Sequence, residues 1–215
     1  MKLQCAALLF DLDGVLVDSA RCVEATWRQW ATRHGLDPER AIQVAHGRRT
    51  IETVALLAPH LAASTEVAAL AASESTTTEG VYEVAGAREL LARLPDNVWA
   101  VVTSGVRAVA TLRIRHTGLP SPPVLICADE IDRGKPDPQG YLIAAERLGF
   151  LPSQCIVVED TPPGIEAAHA AGMRVVAVEG TYPALALSAA DVTISHLAAM
   201  RVLDIDPIVL NIQHC

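Results

Sequence analysis

Lysine is nearly missing from this chain of 215 residues: Lys2 and Lys135 are the only two. Positive charge rests almost wholly on arginine, and the formal net charge is −8. Without a basic stripe there is no electrostatic footprint for nucleic acid or an acidic membrane surface. A small anionic ligand is still compatible, because a pocket can be locally positive in an acidic protein. Cysteine is sparse and unpatterned. Cys5, Cys22, Cys127, Cys155 and Cys215 are odd in number and contain no Cys-x-x-Cys pair, which argues against a zinc site or a disulfide framework. No uninterrupted apolar stretch is long enough to span a bilayer, and no signal-peptide pattern opens the sequence, so the expected location is the cytoplasm. Internal repeats are missing too, and only the Ala-Ser-Thr stretch around residues 62–78 approaches low complexity.

Apolar residues are plentiful, at 51%. That supports a substantial core, in one large domain or in a domain carrying an inserted module. Residues 16–83 show helical patterns and no convincing strand. The spacing of Val23, Trp27, Trp30 and Ala31 predicts a helix from Ala20 to His34, capped by Ser19 and stopped by Gly35. Further helices are expected from Pro38, over Thr50–Leu57 and over Thr65–Ser75.

From Val84 onward the pattern alternates. Helices are predicted over Gly86–Leu94, Val106–His116, Gln139–Leu148 and Gly164–Ala171. Between them lie the apolar runs Val98–Val102, Val124–Cys127, Cys155–Val158, Val175–Val178 and Val192–Ile194. Such alternation predicts an α/β fold whose parallel sheet is covered on both faces. Its ligand site would lie outside the carboxyl ends of the strands. A helical insert after the first strand would emerge above that site as a cap. The expected division is therefore a core of residues 1–15 and 84–215 and a cap of residues 16–83, joined by connecting stretches near 16–19 and 80–85. The tail from Val202 to Cys215 matches no motif and receives no role.

The chemistry gathers at the predicted strand ends. An apolar run, Ala6–Phe10, stops in Asp11-Leu12-Asp13-Gly14. Alternate strand residues face the same way, so the two aspartates could share a side. Carboxylates are costly to bury unpaired, which suggests a cation, most simply Mg²⁺ with its preference for oxygen. A carboxylate held against Mg²⁺ can also attack phosphorus. The competing reading is an ordinary Asp-Gly turn. The run Val98–Val102 ends in Thr103-Ser104-Gly105, whose hydroxyls and backbone N–H groups suit phosphate, although the same residues suit a helix cap. Lys135 sits between Gly134 and Pro136 in a stiff loop, where it could neutralise a carboxylate and an incoming phosphate. The run Cys155–Val158 ends in Glu159-Asp160-Thr161, a second pair of acids that would repel the first without a cation.

These four pieces, in this order, resemble the motifs of the haloacid dehalogenase superfamily of phosphatases and phosphomutases. The resemblance covers nearly the whole chain and implies a Rossmannoid core with a small helical cap. It implies that Asp11 is the nucleophile and a Mg²⁺ ligand. Asp13 would be the general acid/base, offering its backbone carbonyl to the metal. Thr103 would hold the phosphoryl group, Lys135 would orient Asp11 and phosphate, and Asp160 with Glu159 would complete the metal site. The second aspartate favours phosphoryl transfer over carbon–halogen cleavage. Phosphonate-cleaving relatives use a cap lysine, and residues 16–83 contain none.

His46-Gly47-Arg48-Arg49-Thr50, Leu57-Ala58-Pro59-His60, Trp99–Gly105, and Gly134-Lys135-Pro136 with Tyr141 and Leu148-Gly149-Phe150 downstream are similar to the glycerol-3-phosphatase and 2-deoxyglucose-6-phosphatase subgroup. The implied ligand is a small phosphorylated sugar or polyol, with Arg48 or Arg49 at its distal end and His46 as a loop or capping residue. Two alternatives stand beside a phosphatase: a β-phosphoglucomutase-like isomerase using the same aspartyl-phosphate, and a catalytically silent relative.

Overall fold

The chain enters through two short strands, β1 (Lys2–Cys5) and β2 (Ala7–Phe10). β2 is buried at every position, as a strand covered on both faces must be. The computed structural model describes residues 1–212. After β2 come β3 (Val17–Asp18), the helices α1 (Ala20–Arg33), α2 (Pro38–Ala45), α3 (Thr50–Leu57) and α4 (Ala63–Glu74), and then β4 (Tyr82–Glu83). Helix and strand alternate from there: α5 (Ala87–Leu91), β5 (Trp99–Val102), α6 (Arg107–Thr117), β6 (Val124–Ile126), α7 (Gln139–Leu148), β7 (Cys155–Glu159), α8 (Pro162–Ala170), β8 (Arg174–Val178) and β9 (Val192–Ile194). The last two strands are β10 (Met200–Ile205) and β11 (Ile208–Ile212).

Among the described residues the main sheet has six strands in the order β6-β5-β2-β7-β8-β9. All of its pairings are parallel. This is the expected α/β fold. Alternate residues of the inner strands feed opposite faces. Leu8, Phe10, Ile156 and Val158 join α5, α6 and the last two strands, whereas Leu9, Cys155 and Val157 join α7 and α8. Phe10 meets Trp99 edge to face, with ring centroids 6.4 Å apart.

Two expectations need correction, and the segment left without a role has a defined place in the fold. The tail is structured: β10 and β11 form a hairpin, and β11 also pairs with β1, giving a three-stranded antiparallel sheet. Val202, Ile208, Leu210 and Ile212 bury against the core, the last three at alternate positions of β11. Residues 213–215, the end of that tail, lie outside the described residues. The segment 16–83 is also not free of strands. β3 pairs antiparallel with β4, Val17 opposite Glu83 and Asp18 opposite Tyr82, so the two connecting stretches form one ribbon. The helix expected over Gly86–Leu94 is shorter, Ala87–Leu91, because Pro95 disfavours helical geometry just before it.

The four helices α1–α4 form a lobe with its own apolar centre, built from Trp27, Trp30, Ala41, Ile42, Ala45, Val54, Ala58 and Leu70. Trp27 and Trp30 meet edge to face at 5.3 Å. The indole N–H of Trp30 donates to Glu66 at 2.8 Å, which joins α1 to α4. Trp30→Ala is expected to destabilise the protein by about 3–5 kcal/mol, the usual cost of emptying a buried aromatic site. Urea unfolding followed by circular dichroism measures it. A loss below about 1 kcal/mol would show that the lobe does not depend on this side chain.

Candidate active site

The sheet register decides which residues meet. Phe10 lies opposite Val101 on one side and Val158 on the other, so the next residue, Asp11, stands level with Glu159 at the carboxyl edge. Asp11, Glu159 and Asp160 each bring one carboxylate oxygen within 4.8 Å of the others, and all three residues are buried. Two glycines permit this crowding. A Cβ on Gly14 (φ +86°) would fall 1.9 Å from Asp160 Oδ2, and one on Gly164 would fall 1.8 Å from Glu159 Oε1.

Lys135 supplies the opposing charge. Its Nζ donates to Asp11 Oδ1 at 2.6 Å and to Glu159 Oε1 at 2.5 Å, with the whole group buried. Tyr141, on α7, donates to Glu159 Oε1 at 2.8 Å, and its ring centroid lies 5.4 Å from Nζ. The other oxygen, Glu159 Oε2, accepts from Asp160 N, Thr161 N and Thr161 Oγ1. Glu159 is thus fully hydrogen-bonded, and burial alone would raise it; Lys135 holds it below the ordinary carboxylate range instead. The same Asp11 and Glu159 carboxylates keep Lys135 well above the usual lysine value, against the effect of burial.

Asp160 is the reverse case. Its Oδ2 accepts from the Thr181 hydroxyl, whereas its buried Oδ1 has no partner among the described residues. Burial, with Glu159 and Asp11 nearby, pushes Asp160 well above the usual aspartate value. Burial likewise pushes Asp11 up to about 7, with Lys135 opposing the rise. A buried oxygen without a donor, beside two further carboxylates, is the chemistry of a small hard cation site. Asp11 and Asp160 have oxygens for such an ion. Glu159 would join only by giving up one of its present bonds.

Asp13 does not enter this cluster. The chain turns at Gly14, and Asp13 Oδ1 accepts from the Ser19 hydroxyl at 2.6 Å and from Arg113 Nη1 at 2.7 Å. Ser19 therefore stands at the head of α1 without capping it by its side chain, contrary to expectation. Both bonds fall on Oδ1, so Asp13 Oδ2 carries none among the described residues.

Thr103 follows β5 and is buried, with Oγ1 accepting from Gly105 N at 3.0 Å. Ser104 donates its hydroxyl to the carbonyl of Gly47 in the lobe at 2.9 Å, so that proton already links lobe to core. A cavity of about 510 Å³, a usual size for a small-molecule site, is lined by Asp11, Asp13, Thr103, Ser104, Gly105 and Asp160.

The two lobe arginines part company. Arg48 lines the cavity and has no ion pair among the described residues. Arg49 does not line it. Its guanidinium donates to Glu52 Oε1, to Ile131 O and to Asp132 O, the last two at 2.6 Å, so it clips the lobe to the loop before Lys135. Of the two expected candidates, Arg48 is therefore the one on the cavity, since neighbouring residues at the head of a helix diverge. His46, expected as a loop or capping residue, is the C-cap of α2 and also lines the cavity, with Nε2 buried and unpartnered among the described residues; burial holds the ring below the ordinary histidine value.

Sequence reading missed Arg113, Thr181 and the role of Tyr141. The one available signal for Arg113 was an arginine beside Ala110 and Ile114 on the apolar face of α6.

A family model for haloacid dehalogenase-like hydrolases matches residues 5–172. Hexitol phosphatase A of Escherichia coli strain K12 is 40% identical over 209 residues, which cover 93% of this chain and 95% of that protein. Glycerol-1-phosphate phosphohydrolase 2 of Saccharomyces cerevisiae is 36% identical over 194 residues, covering 85% of this chain and 78% of that protein. Among solved structures, a hydrolase from Pseudomonas syringae superposes with a TM-score of 0.80 at 23% identity, covering 90% of this chain and 94% of that one. β-Phosphoglucomutase from Clostridium difficile follows at 0.75 and 22%, covering 90% and 92%; at such identities the likeness is one of fold. With the family model spanning most of the sequence and full-length relatives well above 30% identity, the chain belongs to the haloacid dehalogenase-like hydrolases.

Proposed function

We propose that this protein is a Mg²⁺-dependent phosphatase that hydrolyses small sugar or polyol monophosphates through an aspartyl-phosphate on Asp11. The observation that carries it is the buried contact of Lys135 with Asp11 at 2.6 Å, beside the unpartnered Oδ1 of Asp160. Asp11 and Asp160 would hold the metal, with the backbone carbonyl of Asp13 as a further ligand. Bound there, Mg²⁺ supplies electrostatic relief for an anionic nucleophile facing an anionic ester. We also take residues 16–83 as a cap that excludes water from the reaction.

The chain's own residues do the remaining work. A carboxylate oxygen of Asp11 forms a bond to phosphorus as the ester P–O bond breaks, and Asp13 gives its proton to the departing alkoxide oxygen. Water then attacks the phosphorus of the aspartyl-phosphate, its proton passes to Asp13, and inorganic phosphate leaves with Asp11 restored. Lys135 stabilises the charge on Asp11 and on the phosphoryl oxygens throughout. The Thr103 hydroxyl and the backbone N–H of Ser104 orient the phosphoryl group, joined by the Gly105 N–H once it releases Thr103 Oγ1.

The cavity lining supports a neutral distal end. Asp18 and Glu179 line it with no ion pair among the described residues, along with Arg48, whereas the lining Glu74 and Arg113 pair with each other and Glu83 pairs with Arg88. A second phosphate would meet more negative charge than positive. This also weighs against the mutase reading, since a mutase must hold a bisphosphorylated intermediate. The hexitol and glycerol phosphate names of the relatives agree with a polyhydroxy ligand.

Two experiments test the proposal. Phosphate release from a panel of hexitol, glycerol and hexose monophosphates should need Mg²⁺, stop with EDTA, and fall at least about 1,000-fold in Asp11→Asn, the scale set by losing a nucleophile. Release that survives the substitution would remove Asp11 from the mechanism. In the second, fructose 1,6-bisphosphate should show a kcat/KM at least about tenfold below that of fructose 1-phosphate, a difference of roughly 1.4 kcal/mol. Arg48→Ala should raise KM for the monophosphate with kcat little changed, the pattern of lost uniform binding. Equal use of both sugars would refute the role given to the acidic lining.

A further inference from the structure

Arg113 belongs to none of the strand-end motifs, yet it joins Asp13 to the far end of the lobe, where Ser19 reaches Asp13 from its near end. It lies on α6 and is 4% exposed. Nη1 donates to Asp13 Oδ1 at 2.7 Å and Nη2 donates to Glu74 Oε1 at 3.1 Å. Asp13 stands in the core loop after β2, and Glu74 is the last residue of α4 in the lobe. One rigid, permanently charged fork therefore spans both parts of the molecule, and each end fixes the plane in which the other can bond. Glu74 is buried enough that its carboxyl lies above the ordinary glutamate value, with Arg113 opposing the rise, so its alternative to this contact is poor.

We infer that Arg113 is a positioning residue that makes the orientation of Asp13 depend on the seating of the helical lobe, with Glu74 as the contact that reports seating. The inference rests on the role of Asp13 proposed above. With the lobe seated, Ser19 and Arg113 both hold Asp13 Oδ1, and Asp13 is among the residues that line the cavity. If α4 moves away, Arg113 loses one of its two anchors and its hold on the Asp13 carboxylate loosens, leaving Ser19 as the other partner. Other contacts seat the lobe independently, through Arg49 on Ile131 O and Asp132 O and through Ser104 on Gly47 O. Removing Glu74 alone should therefore leave the lobe in place and disturb only the coupling.

The test compares two esters under single-turnover conditions by rapid quench, following release of the leaving group in the native enzyme, Glu74→Gln, Arg113→Lys and Arg113→Met. Sorbitol 6-phosphate leaves as an alkoxide that needs the proton from Asp13, whereas p-nitrophenolate leaves without one. Glu74→Gln should slow the sorbitol ester about 10–100-fold and the nitrophenyl ester at least about tenfold less, the scale of a misplaced catalytic group. Arg113→Lys, which keeps the charge but not the fork, should lie between native and Arg113→Met. Since Arg113→Met removes the ion-pair partner of two half-buried acids and can fail to fold, Glu74→Gln is the deciding variant, with its melting curve recorded alongside. Equal losses on both esters, or no loss on either, overturn the inference while leaving the phosphatase intact. A native enzyme that cleaves neither ester overturns the phosphatase reading, and this inference with it.

Discussion

Three carboxylates buried against one ammonium group set the terms for the whole molecule. Asp11, Glu159 and Asp160 converge where Lys135 is the cation that touches them, through two of the three. Buried carboxylates at this separation repel strongly unless compensated. The compensation is uneven: Glu159 is saturated by hydrogen bonds, Asp11 is paired on one oxygen, and Asp160 keeps a buried oxygen without a donor. That unevenness is what turns a costly cluster into a site with room for a divalent ion.

The sheet exists to hold this arrangement still. Parallel pairing on both sides of β2 places the ends of β5 and β7 beside Asp11 within one residue of register. The helices behind them add the remaining partners: α7 brings the Tyr141 hydroxyl to Glu159, and the head of α8 presents Gly164 where a side chain would collide. The densest contacts are thus made by backbone and by the smallest residue. The two faces of the sheet are packed with apolar side chains, so the polar groups at its edge have little freedom to relax.

The lobe adds a different kind of control. It is tied to the core by the β3–β4 ribbon at one end and by polar contacts at the other. These contacts come from few residues: Arg49 and Glu52 on the loop before Lys135, Ser104 on Gly47, and Arg113 on Glu74. Hydrogen bonds and ion pairs at a partly solvated seam are weaker and more readily exchanged than apolar packing. A seam of that composition agrees with the cap role proposed for residues 16–83.

Much of this was legible in the order of residues. Continuous apolar runs alternating with helical periodicity specify a doubly covered parallel sheet, and acids placed at the ends of two such runs mark the edge that will carry charge. The scarcity of lysine made Lys135 conspicuous before its partners were known. What the order of residues does not carry is direction and long-range pairing. Asp11 and Asp13 are two residues apart and part at Gly14; Arg48 and Arg49 are adjacent and serve a cavity and a clip. Arg113 meets Asp13 across 100 positions of sequence. The last strands pair with the first, a contact invisible to any local pattern. Local propensity and periodicity settle which segments form and which faces bury, because those depend on near neighbours. Which oxygen accepts from which donor depends on register and rotamer after the segments pack, and only the tertiary structure decides that.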